Sequence, residues 1–99
     1  MIECISIVVP CYNEEGNIPE LVRGLTEVLG EYDCDHELIL IDDGSQDGTF
    51  TTIENEAKTS NRVKGLSLSR NFGHQVALFA GLELAVGDVI ITMLSLIHI

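Results

Sequence analysis

Two adjacent carboxylates, Asp42 and Asp43, follow directly on the apolar run Leu38–Ile41. A third acid, Asp47, comes later in the same short polar segment. An ionised carboxylate only accepts hydrogen bonds, so it suits the N–H groups of a base, the hydroxyls of a ribose or sugar, and hard cations such as Mg²⁺. It does not suit a phosphate, which needs a metal, backbone N–H groups or a cationic side chain. The acids therefore indicate a site for a donor-rich ligand or for a metal ion.

Two other polar, glycine-bearing segments also follow apolar runs. They are residues 10–17, PCYNEEGN, and residues 69–75, SRNFGHQ. Tyr12 offers an aromatic ring that can stack on a base, and Arg70 offers the cation that a phosphate requires. Together with residues 42–48, these segments carry most of the residue types that could do chemistry.

The elements that position these segments can be read from the spacing of apolar residues. β-Branched residues dominate the run Cys4–Val9, which stops at Pro10 and is typical of a buried strand. Asn17 is a candidate helix cap, with Pro19 in the first turn and Glu20 three residues after the cap. Similar patterns recur along the chain. The predicted strands are 4–9, 37–41, 63–69 and 88–93, and the predicted helices are 17–29, 49–58 and 75–85.

Apolar residues recur in two of the helices, and in the first helix they form one apolar stripe. In the first helix these residues are Ile18, Leu21, Val22, Leu25, Val28 and Leu29. In the third helix they are Val76, Phe79, Ala80, Leu82 and Leu84. Gly87 is expected to end the third helix.

Strict alternation of strands and helices predicts an α/β fold, a Rossmann-like three-layer arrangement with helices on both faces of a parallel sheet. All strands of such a sheet point the same way, so the three polar segments should gather at one edge. Ligands of open α/β sheets bind outside the carboxyl ends of the strands. Asp42 and Asp43 are therefore expected to border a cleft.

Each candidate residue also has a purely structural interpretation. Asp47 can serve equally well as a helix N-cap, and Asp42 as a turn-stabilising residue. Asn13 can cap a turn, while Glu14 and Glu15, taken singly, are expected to be solvated. Arg70 can lie on the surface, and His74 can be placed there without a chemical role. The argument for a site rests on the gathering of these residues, not on any one of them.

The composition restricts the classes of partner. The chain has 99 residues and a formal net charge of −11, with five Lys and Arg in total. One small domain is expected, and nucleic-acid binding or electrostatic docking on an anionic membrane is disfavoured. Three cysteines without a C-x-x-C pair indicate neither a disulfide framework nor a zinc site, which fits a reducing, cytosolic setting. We expect no signal peptide and no membrane helix within this sequence.

Three stretches resemble a known family. IVVPCYNEEGNIPEL, LILIDDGSQDGTF and LSRNFGHQVALFAGLELAVGDVIITM are similar to the N-terminal half of family 2 glycosyltransferases with a GT-A fold. The likeness is to the polyprenyl-phosphate branch, which includes dolichyl-phosphate mannosyltransferases and bactoprenol glucosyltransferases. It covers residues 4–93. It implies inverting transfer of a sugar from a UDP- or GDP-sugar to an acceptor, here a lipid phosphate, by a protein at the cytoplasmic face of a membrane.

The resemblance also implies roles for individual residues. The family segment that matches residues 10–14 lines the nucleotide pocket; the carboxylate that matches Asp43 contacts the base, and its neighbour Asp42 supports that loop. The segment that matches 70–73 lies near the ribose and the diphosphate. The implied nucleotide-binding residues are Pro10, Tyr12, Asn13, Glu14, Asp42, Asp43, Arg70, Asn71 and Gly73.

The sequence departs from the family after Met93. The family continues with an Asp-x-Asp motif that holds Mg²⁺ or Mn²⁺ on the donor diphosphate, whereas this chain has Leu94, Ser95 and Leu96. Leucine cannot bind a hard cation. We therefore expect residues 1–93 to be a partial GT-A nucleotide-sugar-binding domain, residues 94–99 to be a non-matching tail, and the truncated chain to be inactive alone and prone to self-association.

Two other functions compete with this one. A non-catalytic nucleotide-binding module would need the same three segments without metal ligands. A receiver-like phospho-acceptor would also place paired acids at the end of a parallel strand, but after the first strand rather than the second. Nucleotide binding separates the first two functions from the third.

Overall fold

The apolar runs become neighbouring strands of one parallel sheet. The computed structural model describes residues 3–93, and within them strands and helices alternate as the sequence predicts. Most bounds agree with the predicted ones to within about two residues, the usual uncertainty of such assignments. The elements are β1 (Cys4–Cys11), α1 (Ile18–Leu29), β2 (Asp35–Asp42), α2 (Thr49–Thr59), β3 (Val63–Ser67), α3 (His74–Leu84) and β4 (Val89–Thr92).

The strand order in the sheet is β3-β2-β1-β4, and every neighbouring pair is parallel. The chain therefore builds outward from β1 to β3 and then crosses to the other side of β1 to form β4. The order reverses between β1 and β4, which is where α/β sheets of this kind bind their ligands. The predicted Rossmann-like topology is confirmed.

The two faces of the sheet are covered by different helices, which gives three layers. Side chains alternate along a strand, so Ile7 and Leu38 pack with α1 and α2, whereas Val8 and Ile39 pack with α3. Both faces are buried there, and this explains why the runs 7–9 of β1 and 38–41 of β2 are continuously apolar rather than alternating.

Pro10 does not end β1 as the sequence suggested. The strand continues to Cys11, with Pro10 opposite Ile41 in the register. Glu3 and Cys11 direct their carbonyls to β2, whereas Cys4 and Val8 direct theirs to the β4 side. By this alternation the nitrogen of Pro10 faces the β4 side, so its missing N–H removes no hydrogen bond to β2.

Helix α1 differs from its predicted form at both ends. Asn17 occupies the cap position, but its side chain makes no capping hydrogen bond. Val28 is 53% exposed, although it belongs to the predicted apolar stripe. At 100° per residue, Val28 lies roughly 80° from the centre of that stripe, at its margin. The centre of the stripe is buried through Ile18, Leu21, Val22 and Leu29.

Helix α3 packs on the sheet mainly through small residues, with the partly buried Leu78 against the same core cluster. Ala77 and Gly81 are its buried residues. A Cβ atom on Gly81 would lie 2.3 Å from Cγ1 of Val8, so glycine lets the helix approach the strands closely. The helix also ends at Leu84, before Gly87, and the backbone N–H of the cap residue Ala85 donates to the carbonyls of Gly81 and Leu82. The large apolar residues of this helix named from the sequence, Val76, Phe79, Leu82 and Leu84, are all exposed.

The outward residues make α3 apolar on all sides. Such a helix is ordinarily covered by other structure. It is short, with 11 residues. Between residues 3 and 93, no helix has the length and apolar character needed to cross a membrane.

A buried carboxylate ties the amino-terminal parts of the sheet together. Glu37 Oε2 accepts hydrogen bonds from Ser6 Oγ at 2.5 Å and from the Val86 backbone N–H at 2.8 Å. Its Oε1 lies 2.6 Å from Nζ of Lys64. Burial by itself raises the pKa of Glu37, but the hydrogen bonds from Lys64, Ser6 and Val86 outweigh it, and the pKa is lowered. The group therefore joins β1, β2, β3 and the α3–β4 connection as an anion.

We expect Glu37→Gln to lower the free energy of unfolding by about 1–3 kcal/mol at pH 7, since it removes the charge from a buried carboxylate that accepts hydrogen bonds from Ser6, Val86 and Lys64. The folded-state pKa lies below the ordinary value of 4.5, so the unfolded chain holds the proton more tightly. The stabilisation is complete above about pH 4.5 and is lost as the pH falls through the folded-state pKa.

Urea denaturation at several pH values measures this difference, with Glu27→Gln on the exposed side of α1 as the matched control. The deficit of Glu37→Gln relative to the unsubstituted chain should shrink from pH 7 to pH 3. An equal deficit at both pH values would show that the charge of Glu37 contributes nothing.

Candidate functional site

The three polar segments lie at one edge of the sheet, as the sequence predicts. We call residues 10–17, 42–48 and 69–75 together the strand-end rim. The sheet hydrogen bonding continues into it: Asp43 N donates to Cys11 O at 2.8 Å, and Leu68 N donates to Asp42 O at 2.9 Å. The carboxyl ends of β1, β2 and β3 are therefore held side by side.

Asn13 joins the first segment to the second. Its backbone N–H donates to Ser45 Oγ at 2.8 Å, and its side-chain Oδ1 accepts from the Gln46 N–H at 2.9 Å. Its φ of +51° lies in the left-handed region, which Asn tolerates better than most residues. Asn13 thus bridges two loops rather than capping only its own turn.

Asp47 has a structural role at the start of α2. Its Oδ1 accepts from the backbone N–H of Thr49 at 2.9 Å and from the Thr49 hydroxyl. The hydrogen bond from the Thr49 hydroxyl is the main reason that the pKa of Asp47 is lowered. Oγ1 of Thr49 in turn accepts from the Glu14 N–H at 2.9 Å. The N-cap residue of α2 is Gly48, which makes no side-chain capping hydrogen bond, so Asp47 is not the helix N-cap that the sequence offered. Its contacts instead hold the turn that leads into α2 and join it to Glu15 of the first segment.

Asp43 joins the second segment to the third. It is 1% exposed, and its Oδ1 accepts from the backbone N–H of Phe72 at 2.9 Å. Its second carboxylate oxygen has no hydrogen bond to any residue between 3 and 93. Asp43 is therefore both a link between loops and a free acceptor.

Gly44 packs directly beneath the third segment. Its φ is +70°, and a Cβ atom there would lie 2.1 Å from the carbonyl carbon of Arg70 and 2.2 Å from the nitrogen of Asn71. Both the backbone conformation and the space require glycine.

Two further acids are buried in the strand-end rim. Asp42 is 4% exposed, and its Oδ1 accepts from the Ser45 N–H at 3.0 Å, which is the turn-stabilising role considered from the sequence. Glu14 is 5% exposed, so the expectation that it is solvated is wrong. Burial first, and then the charges of Glu14 and Asp42, raise the pKa of Cys11 to about 12. The thiol of Cys11 is therefore uncharged at neutral pH.

The remaining predicted residues line the outer part of the strand-end rim. Pro10 is buried at the end of β1, and Tyr12 is half-buried beside it. Arg70 and Asn71 are exposed, and Gly73 has a φ of +100° just before α3. The structure thus brings all nine predicted residues to one edge. His74 lies nearby, exposed, as the first residue of α3.

This arrangement offers acceptors, an aromatic face and one cation. The buried carboxylates suit N–H and hydroxyl donors, the Tyr12 ring suits a base, and the Arg70 guanidinium suits a phosphate. Within residues 3–93, no three His, Cys, Asp or Glu side chains are grouped so that they could hold a metal ion. The described donors therefore do not fit a metal centre; Leu94, Ser95 and Leu96 lie outside the described residues.

Sequence reasoning missed three residues that build the strand-end rim. Ser45 and Thr49 accept the backbone N–H groups of Asn13 and Glu14, and Phe72 donates its own to Asp43. Ser45 lies within the polar segment 42–48, and Thr49 is the first residue of the predicted second helix. Neither position in the sequence shows which distant loop the hydroxyl contacts, because that contact depends on the strand register.

Comparison with known proteins agrees with this geometry. The family model for glycosyl transferase family 2 matches residues 6–93, and the chain belongs to that family. It is 41% identical over 93 residues to an undecaprenyl-phosphate 4-deoxy-4-formamido-L-arabinose transferase of Pseudomonas fluorescens (strain SBW25), covering 93% of this chain and 27% of the relative. It is 41% identical over 88 residues to the uncharacterized glycosyltransferase YkcC of Bacillus subtilis (strain 168), covering 89% and 27%. The chain thus spans about a quarter of these relatives.

Two solved structures share the fold. The mannosyltransferase PcManGT of Pyrobaculum calidifontis, in complex with GDP-Man and Mn²⁺, superposes with a TM-score of 0.73 at 26% identity, covering 90% of this chain and 26% of that one. TarS of S. aureus (residues 1–349), in complex with UDP, superposes with a TM-score of 0.74 at 27% identity, covering 92% of this chain and 27% of that one. The fold is that of GT-A glycosyltransferases, as the resemblance implied.

We expect Gly44→Ala to destabilise the chain by roughly 1–3 kcal/mol, because an alanine at φ +70° is strained and its Cβ overlaps the Arg70–Asn71 backbone. Gly16→Ala is the matched control, since it lies in the same strand-end rim and a Cβ there meets nothing within 4 Å. Its effect should stay within about 0.5 kcal/mol. Urea denaturation of both variants provides the measurement, and equal losses would contradict the packing described for Gly44.

Proposed function

We propose that the strand-end rim binds the nucleoside diphosphate of a UDP- or GDP-sugar. The observation that carries the proposal is the junction at Asp43, a buried carboxylate that links two loops and keeps one oxygen free. GDP-Man and UDP in the two related structures support a nucleotide ligand for this fold.

The positions of the side chains suggest how the ligand is divided among them. We assign the base to the free acceptor of Asp43 and the ring of Tyr12, with Pro10, Asn13 and Glu14 forming the adjoining wall. Asp42 supports this part by holding the loop through Ser45. The ribose and diphosphate are assigned to Arg70, Asn71 and Gly73. This division follows the chemistry of the groups, since acceptors meet N–H donors and the cation meets the phosphates.

We propose further that this chain is the donor-binding part of a transferase whose acceptor is a polyprenyl phosphate. In that reaction an oxygen of the acceptor phosphate bonds to the anomeric carbon, and the bond from that carbon to the nucleoside diphosphate breaks. The name of the Pseudomonas fluorescens relative supports undecaprenyl phosphate as the acceptor class. The reaction would take place at the cytoplasmic face of a membrane.

The contribution of this chain is nucleotide binding. We propose that residues 1–93 are a partial GT-A domain. Residues 94–99 lie outside the described residues, and on their sequence we propose that they are a non-matching tail. Residues 3–93 provide no ligand set for a divalent ion, so we propose that the chain does not transfer sugar by itself. A non-catalytic nucleotide-binding module is the alternative, and it makes the same binding prediction.

Self-association is proposed for the isolated chain. Phe79 and Val86 are 69% and 72% exposed, and β4 is an edge strand of the described sheet with Ile90 and Ile91 each 42% exposed. A second copy presents the same apolar surface and strand edge, so the two can cover each other. An anionic membrane is a poorer partner for a chain with a net charge of −11.

We expect Asp43→Asn to weaken nucleotide binding by about 1–3 kcal/mol, because the charged acceptor is lost while an amide oxygen can still accept from Phe72. Isothermal titration calorimetry with UDP and with GDP measures the change. Asp33→Asn, an exposed substitution in the α1–β2 connection, removes the same charge far from the strand-end rim and should leave affinity unchanged. Unchanged affinity in Asp43→Asn would remove Asp43 from the pocket.

Transfer activity separates the enzyme from the binding module. Incubation of the chain with radiolabelled UDP- or GDP-sugar, undecaprenyl phosphate and Mg²⁺ or Mn²⁺ should yield no labelled lipid despite nucleotide binding. Labelled lipid would show that the chain is active alone and would overturn the proposed inactivity.

We expect Phe79→Glu to reduce self-association, because it places a charge in the centre of the exposed apolar side of α3. Sedimentation equilibrium at several concentrations measures the average mass. Tyr32→Glu is the matched control, with a 60% exposed aromatic residue between α1 and β2. A monomeric unsubstituted chain, or equal effects of the two substitutions, would contradict the proposed surface.

A further inference from the structure

Phe72 is an aromatic residue in the polar strand-end rim without a place in either apolar core. It is 42% exposed, and neither of the two described core clusters includes it. Its ring contacts the guanidinium of Arg70, whose Cζ lies 4.8 Å from the ring centroid. That distance is within the range of a cation–π interaction. The interaction of Phe72 with Arg70 therefore distinguishes it from a residue that simply fills the core.

The backbone around this pair is fixed from two sides. The N–H of Phe72 donates to the buried carboxylate of Asp43. Gly44 lies directly against the backbone of Arg70 and Asn71. Both anchors belong to the loop after β2, so the Phe72 ring projects from a backbone that the fold holds in place, although residues 68–73 form no helix or strand.

The charges of the strand-end rim make the position of Arg70 important. Arg70 is the only Lys or Arg in the three segments, which together contain five carboxylates: Glu14, Glu15, Asp42, Asp43 and Asp47. An unrestrained guanidinium beside so many acids would readily pair with one of them. Among residues 3–93, however, the ion pairs join Arg62 to Asp35 and Lys64 to Glu37, and Arg70 pairs with none of the described acids.

We propose that Phe72 is a positioning residue that holds the Arg70 guanidinium on its ring, away from the neighbouring acids and available to the diphosphate of the ligand. The inference rests on the proposed nucleotide site and adds the means by which an acidic rim accepts an anion. The ring attracts the guanidinium without neutralising its charge. The positive charge therefore remains available to a phosphate, which the carboxylates alone would repel.

The test compares ligands with and without phosphate. Calorimetric titrations use uridine, UDP, guanosine, GDP and inorganic pyrophosphate. The variants are Phe72→Leu, Phe72→Tyr and Arg70→Gln, with the double variant of Phe72→Leu and Arg70→Gln. Phe79→Leu serves as the matched control, because it makes the same substitution at an exposed residue of α3 outside the strand-end rim.

Phe72→Leu should lower the affinity for UDP or GDP and for pyrophosphate by about twofold to fivefold, the size of an exposed cation–π contact. The affinity for the nucleoside should not change. Phe72→Tyr keeps an aromatic face and should restore binding. Arg70→Gln should lower the affinity for the same phosphate-bearing ligands by roughly tenfold, since it removes a charged hydrogen-bond donor. Adding Phe72→Leu to Arg70→Gln should cause no further loss, because Phe72 acts through Arg70.

The other possible outcomes contradict the positioning role of Phe72, the proposed nucleotide site, or both. An equal loss for nucleoside and diphosphate would show that Phe72 stacks on the base instead, and no loss in Phe72→Leu would show that the ring does not position Arg70. If pyrophosphate binds with the expected dependence on Phe72 but no nucleoside or nucleotide binds, the positioning role holds and the proposed function fails. If none of the five ligands binds the unsubstituted chain, both are wrong.

Discussion

The parallel pairing of β1 with β2 is the constraint on which the rest of the structure depends. Eight consecutive residue pairs, from Cys4–Asp35 to Cys11–Asp42, set the two strands level at their carboxyl ends. The pairing of β2 with β3 extends the same alignment to Ser67. Because backbone hydrogen bonds fix the register, the loops that follow have no freedom to start elsewhere. A shift of one residue would turn Asp42 and Asp43 to the wrong faces.

Given that alignment, the loops are held by hydrogen bonds between them rather than by a core of their own. Buried polar groups are costly unless they are paired. The carboxylate oxygens of Asp42 and Asp43 and the hydroxyl of Thr49 each accept a backbone N–H. The same groups that can contact a ligand thus also build the walls around it. This double use explains how a polar, largely irregular edge can be ordered before any ligand binds.

The two faces of the sheet are covered to different degrees. Helices α1 and α2 bury a broad apolar surface, whereas α3 contacts the sheet through Ala77 and Gly81 and leaves larger residues outside. Close approach through small residues allows one helix to cover the strands, but it presents an apolar outer side to the surroundings. By the shares aligned, the family 2 relatives that this chain matches are roughly three and a half times as long as the chain, and the strand-end rim lies in the matched part.

The sequence by itself determined the order of the elements, the parallel sheet and the edge at which the polar segments gather. These follow from local patterns: β-branched runs, three-and-four spacing and glycine-bearing turns, each of which depends on near neighbours. The sequence also contained all nine candidate residues, although their roles rest on the resemblance to the family.

Only the tertiary structure decided what each side chain does. Local pattern could not show that Glu14 is buried, that Asp43 accepts from Phe72, or that Pro10 continues a strand, because each depends on a residue distant in the chain. It also could not orient α3: the 3.6-residue period does not single out one side of so apolar a helix, and the tight approach to Val8 selected the glycine side. Contacts between loops depend on strand register, and register is a property of the folded sheet.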